Sequence, residues 1–143
     1  MPTMKSFAVV VALAAGLAVG TALFASTPPA KSKVTTLLQM PLADAFTPGR
    51  EVLMDVVQIA PDSSLERHWH PGEEFHYYME GSVEIQLDGE PSIEGRPGGV
   101  GHVPFKHWHR AVAGKHGAKI LVFRVHTKGE PWRYTAKDST IER

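Results

Sequence analysis

From residue 31 onward, apolar and polar residues alternate with a period of two over short runs. The clearest run is 82–87, SVEIQL, in which Val83, Ile85 and Leu87 share one face and polar residues occupy the other. This alternation is typical of a β-strand with one buried face. No window in this part of the chain shows a sustained helical period. The pattern therefore predicts an all-β fold.

Other runs rich in β-branched and apolar residues, bounded by Gly, Pro or Asp-Gly turns, predict further strands. They cover residues 34–38, 51–59, 65–70, 74–79, 100–103, 107–113 and 118–127, with 132–135 as a candidate edge strand. Short strands joined by tight turns are typical of a sandwich or a barrel. Just over a hundred residues suffice for one core, so residues 31–143 are expected to form a single domain.

Residues 1–30 have a different pattern, because an uninterrupted apolar run extends over 7–24 after Lys5. A Pro-Pro pair at 28–29 ends any helix there. The run is just long enough to cross a hydrocarbon layer of ~30 Å, which predicts a hydrophobic leader helix, either a signal peptide cleaved near Ala25 or a retained membrane anchor. A cation before the run favours export, to the periplasm or another extracytoplasmic space.

Composition narrows the range of partners and cofactors. Fifteen Lys and Arg balance fifteen Asp and Glu, and no basic run stands out, so no nucleic-acid partner is expected. The chain has no cysteine, which excludes disulfides, thiolate ligands and cysteine nucleophiles. Any bound metal must therefore be held by nitrogen and oxygen atoms.

Histidines and a glutamate are concentrated in the stretch 68–76, HWHPGEEFH. His68 and His70 are two residues apart, so on an extended strand both rings project from the same face. A Pro-Gly pair then turns the backbone, and Glu74 opens a second extended run that can return beside the first. Two imidazoles and a carboxylate converging on one point are good ligands for a divalent first-row metal.

Two spaced motifs, in order along the chain, resemble the two signatures of the cupin superfamily. The motifs are His68-x-His70-x3-Glu74-x6-Gly81 and Gly98-x5-Pro104-x-Lys106-x2-His109. The chain departs from the family pattern at Asp62 and Lys106, where glycines are usual, and at Ala113, where the pattern ends in asparagine. The departures concern loop geometry rather than ligand positions. The resemblance spans roughly residues 51–125.

The resemblance implies a jelly-roll barrel holding one divalent transition metal (Fe, Mn, Ni, Zn or Cu) through His68, His70, Glu74 and His109. Three neutral imidazoles and one carboxylate leave two cis positions of an octahedral shell open for water, oxygen or substrate. The alternative, histidines on a polar surface hairpin, requires all four positions to match by chance. His76 shares the strand parity of Glu74, so its ring is expected to point inward, where it can orient a ligand, act as acid or base, or fill the core.

Weaker predictions attach to five other residues. Tyr78 is expected in the core with its hydroxyl bonded, and His102 on an outward face or a subunit interface. His116 and His126 have no visible partner in the sequence and are expected on the surface. Lys106 is either an exposed turn lysine or a cation at the mouth of a pocket for an anionic substrate.

Such a site predicts a mononuclear metal-dependent enzyme, an oxidoreductase of the dioxygenase kind acting on a small organic substrate. The leader predicts that this enzyme is exported. Zinc or manganese hydrolase and isomerase chemistry uses similar sites. The main alternative is a non-catalytic module that binds or senses a small molecule with a metal's help, and a third is a structural subunit held together by its metal. The sequence does not indicate the oligomeric state, although small cupins are commonly dimers, which makes a homodimer a candidate assembly. Membrane contact is expected only through residues 1–30.

Overall fold

The structure is a computed structural model of the chain and describes residues 31–138. The leader helix predicted over residues 1–30 lies outside the described residues. Within them, eight β-strands and no α-helix are present, which confirms the predicted all-β class. Accordingly, this part of the chain contains no helix with the length and apolar character needed to cross a membrane.

The strands form one curled sheet. They are β1 (Lys33–Pro41), β2 (Arg50–Ile59), β3 (His68–Trp69), β4 (Gly72–Leu87), β5 (Ile93–Gly95), β6 (Val100–Val103), β7 (His109–Thr127) and β8 (Tyr134–Thr135). The order is β1-β2-β7-β3-β8, and β4 pairs with β5, β6 and β7. Since β4 and β7 are long and antiparallel to each other, each contributes to both halves of the barrel. The jelly-roll prediction is confirmed.

Two predicted strand breaks are wrong, because the long strands bend where the sequence suggests turns. The runs 74–79 and 82–87 are parts of one strand, β4, with register shifts on either side of Gly81. Gly81 has a φ of 71°, which glycine adopts without a Cβ clash. The run 118–127 likewise continues from the preceding one within β7. The bends let the same strand serve both halves of the barrel.

The shortest strands are the least visible in the sequence. The predicted strand over 65–70 is reduced to the two residues of β3. His68 pairs with His109 on one side, and both residues pair with β8 on the other. β5 was not predicted, since three residues in a Gly- and Pro-rich passage show no alternation. Pairing with distant strands, rather than local sequence, defines both elements.

The barrel interior has an apolar part and a polar part. The apolar cluster consists of Val57, Ile59, Tyr78, Val83, Ile85, Val103, Ala111, Ala113, Ala118, Ile120 and Val122. The buried ionisable side chains are Glu51, Asp55, His68, His70, Glu74, His76, His109, Arg124 and His126. Such groups are rarely buried unless they are paired or bind a ligand. The polar part of the barrel interior is therefore the candidate ligand-binding site.

Candidate metal centre

Three imidazoles meet in the polar part of the barrel. His68 in β3, His70 just after it and His109 at the start of β7 are all buried, and their ligand atoms lie within 4.8 Å of one another. β3 pairs with β7 so that His68 lies directly opposite His109. Strand alternation puts His70 on the same side as His68. The fold thus brings together the three histidines predicted as ligands.

A backbone carbonyl orients each of these rings. The Nδ1–carbonyl pairs are His68 with Glu66 (2.6 Å), His70 with Trp132 (2.5 Å) and His109 with His107 (3.0 Å). Because a carbonyl only accepts, each Nδ1 carries the proton and donates it. Each Nε2 is then left with a lone pair directed into the cluster. Such an arrangement is typical of histidines that bind metals.

The spacing of these lone pairs fits a first-row metal ion. His68 Nε2 and His70 Nε2 are 3.1 Å apart, and with both Nδ1 atoms protonated no hydrogen bond joins them. Two ligand atoms about 2.1 Å from one metal and at a right angle to each other are about 3.0 Å apart. Glu74 Oε2 lies 2.9 Å from His70 Nε2, and Glu74 Oε1 lies 3.6 Å from His109 Nε2. A divalent cation would relieve the repulsion between the lone pairs.

Burial keeps two of these imidazoles neutral. Desolvation, followed by the neighbouring His109 and His70, lowers the pKa of His68 to about 3. Desolvation also lowers the pKa of His70 and outweighs the attraction of Glu74. Neutral imidazole is the form that binds a metal, so protons compete weakly for these nitrogens at neutral pH.

Glu74 is enclosed and held from two sides. Its Oε2 accepts a hydrogen bond from Arg124 Nε at 2.6 Å, and its Oε1 lies 2.6 Å from His76 Nε2. Burial acts to raise the pKa of Glu74, but His70, Arg124 and His76 together hold that pKa well below its ordinary value. Glu74 is therefore a carboxylate at neutral pH, the state in which it can bind a cation.

Arg124 and Asp55 belong to the polar part and were not predicted. Arg124, only 2% exposed, lies on β7 directly opposite Glu74, and its guanidinium also pairs with the buried Asp55 of β2. Both residues point inward and have apolar neighbours on either side in the sequence. A charge at such a position is costly unless it is paired, and this is the signal in the sequence that could have found them.

His76 points inward, as predicted. It is buried behind Glu74, with Nε2 on the carboxylate and Nδ1 3.2 Å from the hydroxyl of Tyr78. Burial, then the charge of Glu74, raises the pKa of Tyr78 to about 12, so its hydroxyl stays protonated. Of the roles open to His76 from the sequence, orientation of the Glu74 carboxylate fits these contacts best.

The prediction that His126 lies on the surface is wrong. It is 0% exposed, and its Nδ1 is 3.6 Å from the Glu51 carboxylate, because the two residues are cross-strand neighbours on β2 and β7. His116 is exposed as predicted. His102 lies on the outer surface, with Nε2 2.5 Å from Glu73 Oε2.

A small cavity adjoins the cluster. Its volume is about 50 Å³, and its lining includes His68, His109, Ile120, Trp132 and Arg133. The Trp132 ring is 6.5 Å from that of His68 between centroids, so the segment after β7 covers the site. A space of this size admits a few non-hydrogen atoms beside the cluster.

Lys106 does not line this cavity. It borders a separate cavity of about 410 Å³ on the outer side of β3, together with Trp69, Phe105 and Tyr134. Its Nζ lies 5.5 Å from the Trp69 ring centroid and 5.4 Å from that of Phe105. Lys106 is thus an exposed turn lysine beside a pocket, but not beside the imidazoles.

Residues 55–124 match the family model of the cupin domain. Solved structures that share the fold include a cupin superfamily protein from Desulfitobacterium hafniense DCB-2, with a TM-score of 0.51, 21% identity, and coverage of 70% of this chain and 84% of that one. The chain belongs to the cupin superfamily. The cupin motifs singled out in the sequence lie within or near the matched region. No protein of curated function matches this cupin at a significant level.

Two enzymes are among the solved structures that resemble this cupin. The DMSP lyase from Ruegeria pomeroyi DSS-3 has a TM-score of 0.56 and 21% identity, with coverage of 61% of this chain and 44% of the lyase. A recombinant oxalate oxidase solved with glycolate has a TM-score of 0.56 and 26% identity, with coverage of 77% of this chain and 57% of the oxidase. The cupin therefore spans less than half of the lyase and little more than half of the oxidase.

Proposed function

We propose that this cupin is an exported, mononuclear metal-dependent oxidoreductase of the dioxygenase kind that acts on a small organic substrate. The observation that carries the proposal is the convergence of three buried Nε2 lone pairs beside a carboxylate. His68, His70, His109 and Glu74 would hold the ion. When bound, a redox-active metal would supply the means to bring oxygen and substrate together.

The cavity beside the cluster supports a small substrate. Its lining is apolar on the side of the core, with Val57, Ile85 and Val122, and it includes Arg133 near the segment that covers the site. The Arg133 guanidinium lies over the Trp132 ring at 4.5 Å from its centroid. A positive charge beside a largely apolar space favours a small molecule with an acidic group.

The chain's own residues act mainly by positioning. His76 joins Glu74 to Tyr78, and the raised pKa of the tyrosine keeps that hydroxyl protonated, so this series of contacts holds the carboxylate in place. Arg124 fixes the other oxygen of the same carboxylate. Ligands fixed in this way on strands form a rigid site, which suits a reactive centre.

The similar structures support enzymatic chemistry in general rather than one reaction. They include the lyase and the oxidase named above and a polyketide cyclase from Streptomyces resistomycificus. Lyase, oxidase and cyclase reactions have little in common, so a shared fold does not select among them. The proposal of export is supported by the leader pattern of residues 1–30 alone.

Elemental analysis followed by oxygen-uptake assays tests this proposal. The chain purified without chelators should contain roughly one first-row metal ion, and Glu74→Ala should lose it. The iron- or nickel-loaded protein should then consume oxygen with a member of a phenol and diketone panel, and yield an oxygenated product by mass spectrometry. Metal-free protein after gentle purification would contradict the metal site itself.

A non-catalytic binding or sensing module is the second candidate. It is favoured by the polar part of the barrel, where every acid or base described beside the imidazoles is engaged with another residue of the chain. In that case a ligand should raise the melting temperature of the metal-loaded protein without turnover. Metal binding without oxygen uptake, together with such a shift, would favour this candidate over the oxidoreductase.

A further inference from the structure

The cavity on the outer side of β3 takes no part in the candidate metal centre. Its volume is about 410 Å³, and its apolar lining consists of Trp69, Pro71, Phe105 and Tyr134. Trp69 stands between two ligand histidines in the sequence, but strand alternation directs its ring to the opposite side of the strand. The cavity and the imidazoles therefore lie back to back. We refer to this cavity as the outer cleft.

Aromatic rings from distant parts of the chain form the walls of the outer cleft. The rings of Trp69 and Tyr134 stack at 4.3 Å between centroids, with 14° between their planes. This contact follows from the pairing of β3 with β8. Phe105, in the turn after β6, is 44% exposed. Rings held in this way offer flat apolar surfaces to a small molecule.

The ammonium group of Lys106 lies near two of these rings. Its Nζ is within about 6 Å of both the Trp69 and Phe105 centroids, the range in which a ring face attracts a cation. Within residues 31–138, neither an ion pair nor a hydrogen bond joins this ammonium to another side chain. The rings hold the charge but leave its N–H groups available, and a lysine ammonium can only donate. A ligand with an acceptor group would satisfy them.

The backbone of Lys106 is in the left-handed region, with a φ of 58°. A hydrogen bond of 3.1 Å from Lys106 N to the His70 carbonyl ties this turn to the end of β3. Glycine, the usual residue of the cupin pattern at this position, adopts such a φ without a Cβ clash, whereas lysine does not. Asp62 also has a positive φ, but aspartate is a residue type enriched in this region. A strained residue that places a free charge at a cleft indicates a function.

We propose that the outer cleft binds a small aromatic carboxylate and that Lys106 is its anchor. The carboxylate of the ligand would accept N–H groups of Lys106, and a hydrogen bond between two charged groups is stronger than a neutral one. The ring of the ligand would lie against Phe105 and Tyr134. A cavity of about 410 Å³ holds such a molecule, whereas the cavity of about 50 Å³ beside the imidazoles does not. The outer cleft is therefore independent of the metal centre and of its proposed reaction.

The charges around the outer cleft favour an anion over an amine. Of its two carboxylates, Glu130 accepts the hydroxyl proton of Tyr134. The other, Asp138, accepts the backbone N–H of Thr135 at 2.6 Å and its hydroxyl proton at 2.8 Å. Lys106 already supplies the cation that the rings would otherwise attract from a ligand. The remaining lone pairs of Glu130 and Asp138 can accept a hydroxyl group, so a hydroxylated aromatic acid fits best.

Isothermal titration calorimetry of the full chain in a non-ionic detergent tests the proposal, with 4-hydroxybenzoate as the probe. The probe should bind with a dissociation constant below about 1 mM. Its neutral analogue 4-hydroxybenzamide and its cationic analogue 4-hydroxybenzylamine should each bind at least about tenfold more weakly. Undetectable binding of 4-hydroxybenzoate at millimolar concentration, or equal binding of the three probes, would overturn the proposal.

Two lysine variants assign the binding to the outer cleft. Lys106→Met should weaken binding of 4-hydroxybenzoate at least about tenfold. Lys115→Met is the matched control, because Lys115 is exposed on β7 and does not line the cleft; it should leave binding unchanged. Chelation should also leave binding unchanged, since the metal takes no part. Equal binding by the two variants, or binding lost on chelation while the β-sheet circular dichroism spectrum is kept, would contradict the assignment.

Lys106→Gly separates binding from folding. Glycine removes both the ammonium and the backbone strain, so this variant should lose binding of 4-hydroxybenzoate while its melting temperature stays at or above that of Lys106→Met. A position kept for binding at the expense of stability behaves in this way. A lower melting temperature than that of Lys106→Met, together with unchanged binding of the probe, would assign Lys106 a structural role and overturn the proposal.

Discussion

The ligand rings of the candidate centre depend on main-chain acceptors rather than on other side chains. His68, His70 and His109 each donate an Nδ1 proton to a carbonyl of the chain. A substitution of Glu66 or His107 therefore leaves the acceptor in place. At the scale of single residues, backbone carbonyls orient the imidazole rings, and a few buried charges determine the electrostatics of the site.

The metal-free protein is expected to lose stability as the pH falls from about 6.5 toward 5. The unfolded chain binds a proton at His68 near the ordinary pKa of 6.5, whereas the folded chain has a pKa of about 3 there. Between these values the unfolded state binds more protons, so the free energy of unfolding decreases as the pH falls. Urea titrations of the metal-free chain at several pH values measure this.

Two variants separate His68 from the other groups that titrate. His68→Gln should reduce the pH dependence of the urea midpoint, while His116→Gln, at an exposed position, should leave it unchanged. Working above pH 5 keeps Glu74 out of the measurement, since its pKa in the folded protein is well below the ordinary value. An unchanged slope in His68→Gln would contradict the assignment.

Arg124 should be among the most sensitive buried positions. Arg124→Met leaves Glu74 and Asp55 buried without their shared cation, which should cost about 3–5 kcal/mol of stability. Arg124→Lys keeps the charge but not the guanidinium fork, so its loss should be smaller. Arg67→Met is the matched control, because the Arg67–Asp88 pair is exposed and water screens its contribution to stability. Chemical denaturation of the three variants gives the comparison.

At the scale of elements, the bends in β4 and β7 decide where the site residues meet. The sequence predicted most strands, because alternation is local and strong over runs such as 82–87. It did not predict that 74–79 continues into 82–87, since a bend at Gly81 and a true turn have the same local signature. The pairing of β3 with β7 depends on closure of the barrel, which no local pattern encodes.

Gly81→Ala should destabilise the protein far more than Gly89→Ala. Both glycines have a positive φ, 71° and 74°, so both substitutions carry the same backbone strain of about 1–2 kcal/mol. A Cβ at Gly81 would also meet the carbonyl oxygen of Gly117 in β7, whereas a Cβ at Gly89 has open space. Thermal melts of both variants measure the difference, and equal melting temperatures would contradict the role of the bend.

At the scale of the whole molecule, the apolar cluster and the polar part of the barrel are largely separate. The cluster, which includes Ile59, Val83 and Ile85, does not use the imidazoles. Hydrophobic burial of this kind supports the fold without a metal, while a bound metal adds stability by mass action. The metal would therefore reinforce the barrel rather than create it.

Chelation is accordingly expected to lower the melting temperature without unfolding the domain. The far-ultraviolet circular dichroism spectrum of the chelated protein at 25 °C should keep its β-sheet form, and adding a divalent metal should restore the melting temperature. Unfolding on chelation would instead support the structural role considered from the sequence. Glu74→Ala, treated in the same way, should show no response to the chelator.

The candidate site was partly visible in the sequence for a physical reason. Metal ligands must be particular residue types at fixed spacings, so His68, His70 and Glu74 stand out within one short stretch. Arg124 and Asp55 were not predicted, since a single charged residue between apolar neighbours forms no spaced motif with other residues. The burial of His126 was not predicted either, because its partner Glu51 is distant in the sequence and is close only across the sheet.

Trp132 gives the candidate centre an optical reporter. Its carbonyl accepts the Nδ1 proton of His70, and its indole lies 6.0 Å from that imidazole between ring centroids. An open-shell ion held by the imidazoles would be close enough to the indole to quench its emission, whereas closed-shell zinc would not. Titration with cobalt or copper should therefore dim the tryptophan fluorescence of the chain, and Trp132→Phe should remove most of that response. Loading of the site could then be followed by light emission, with no substrate known.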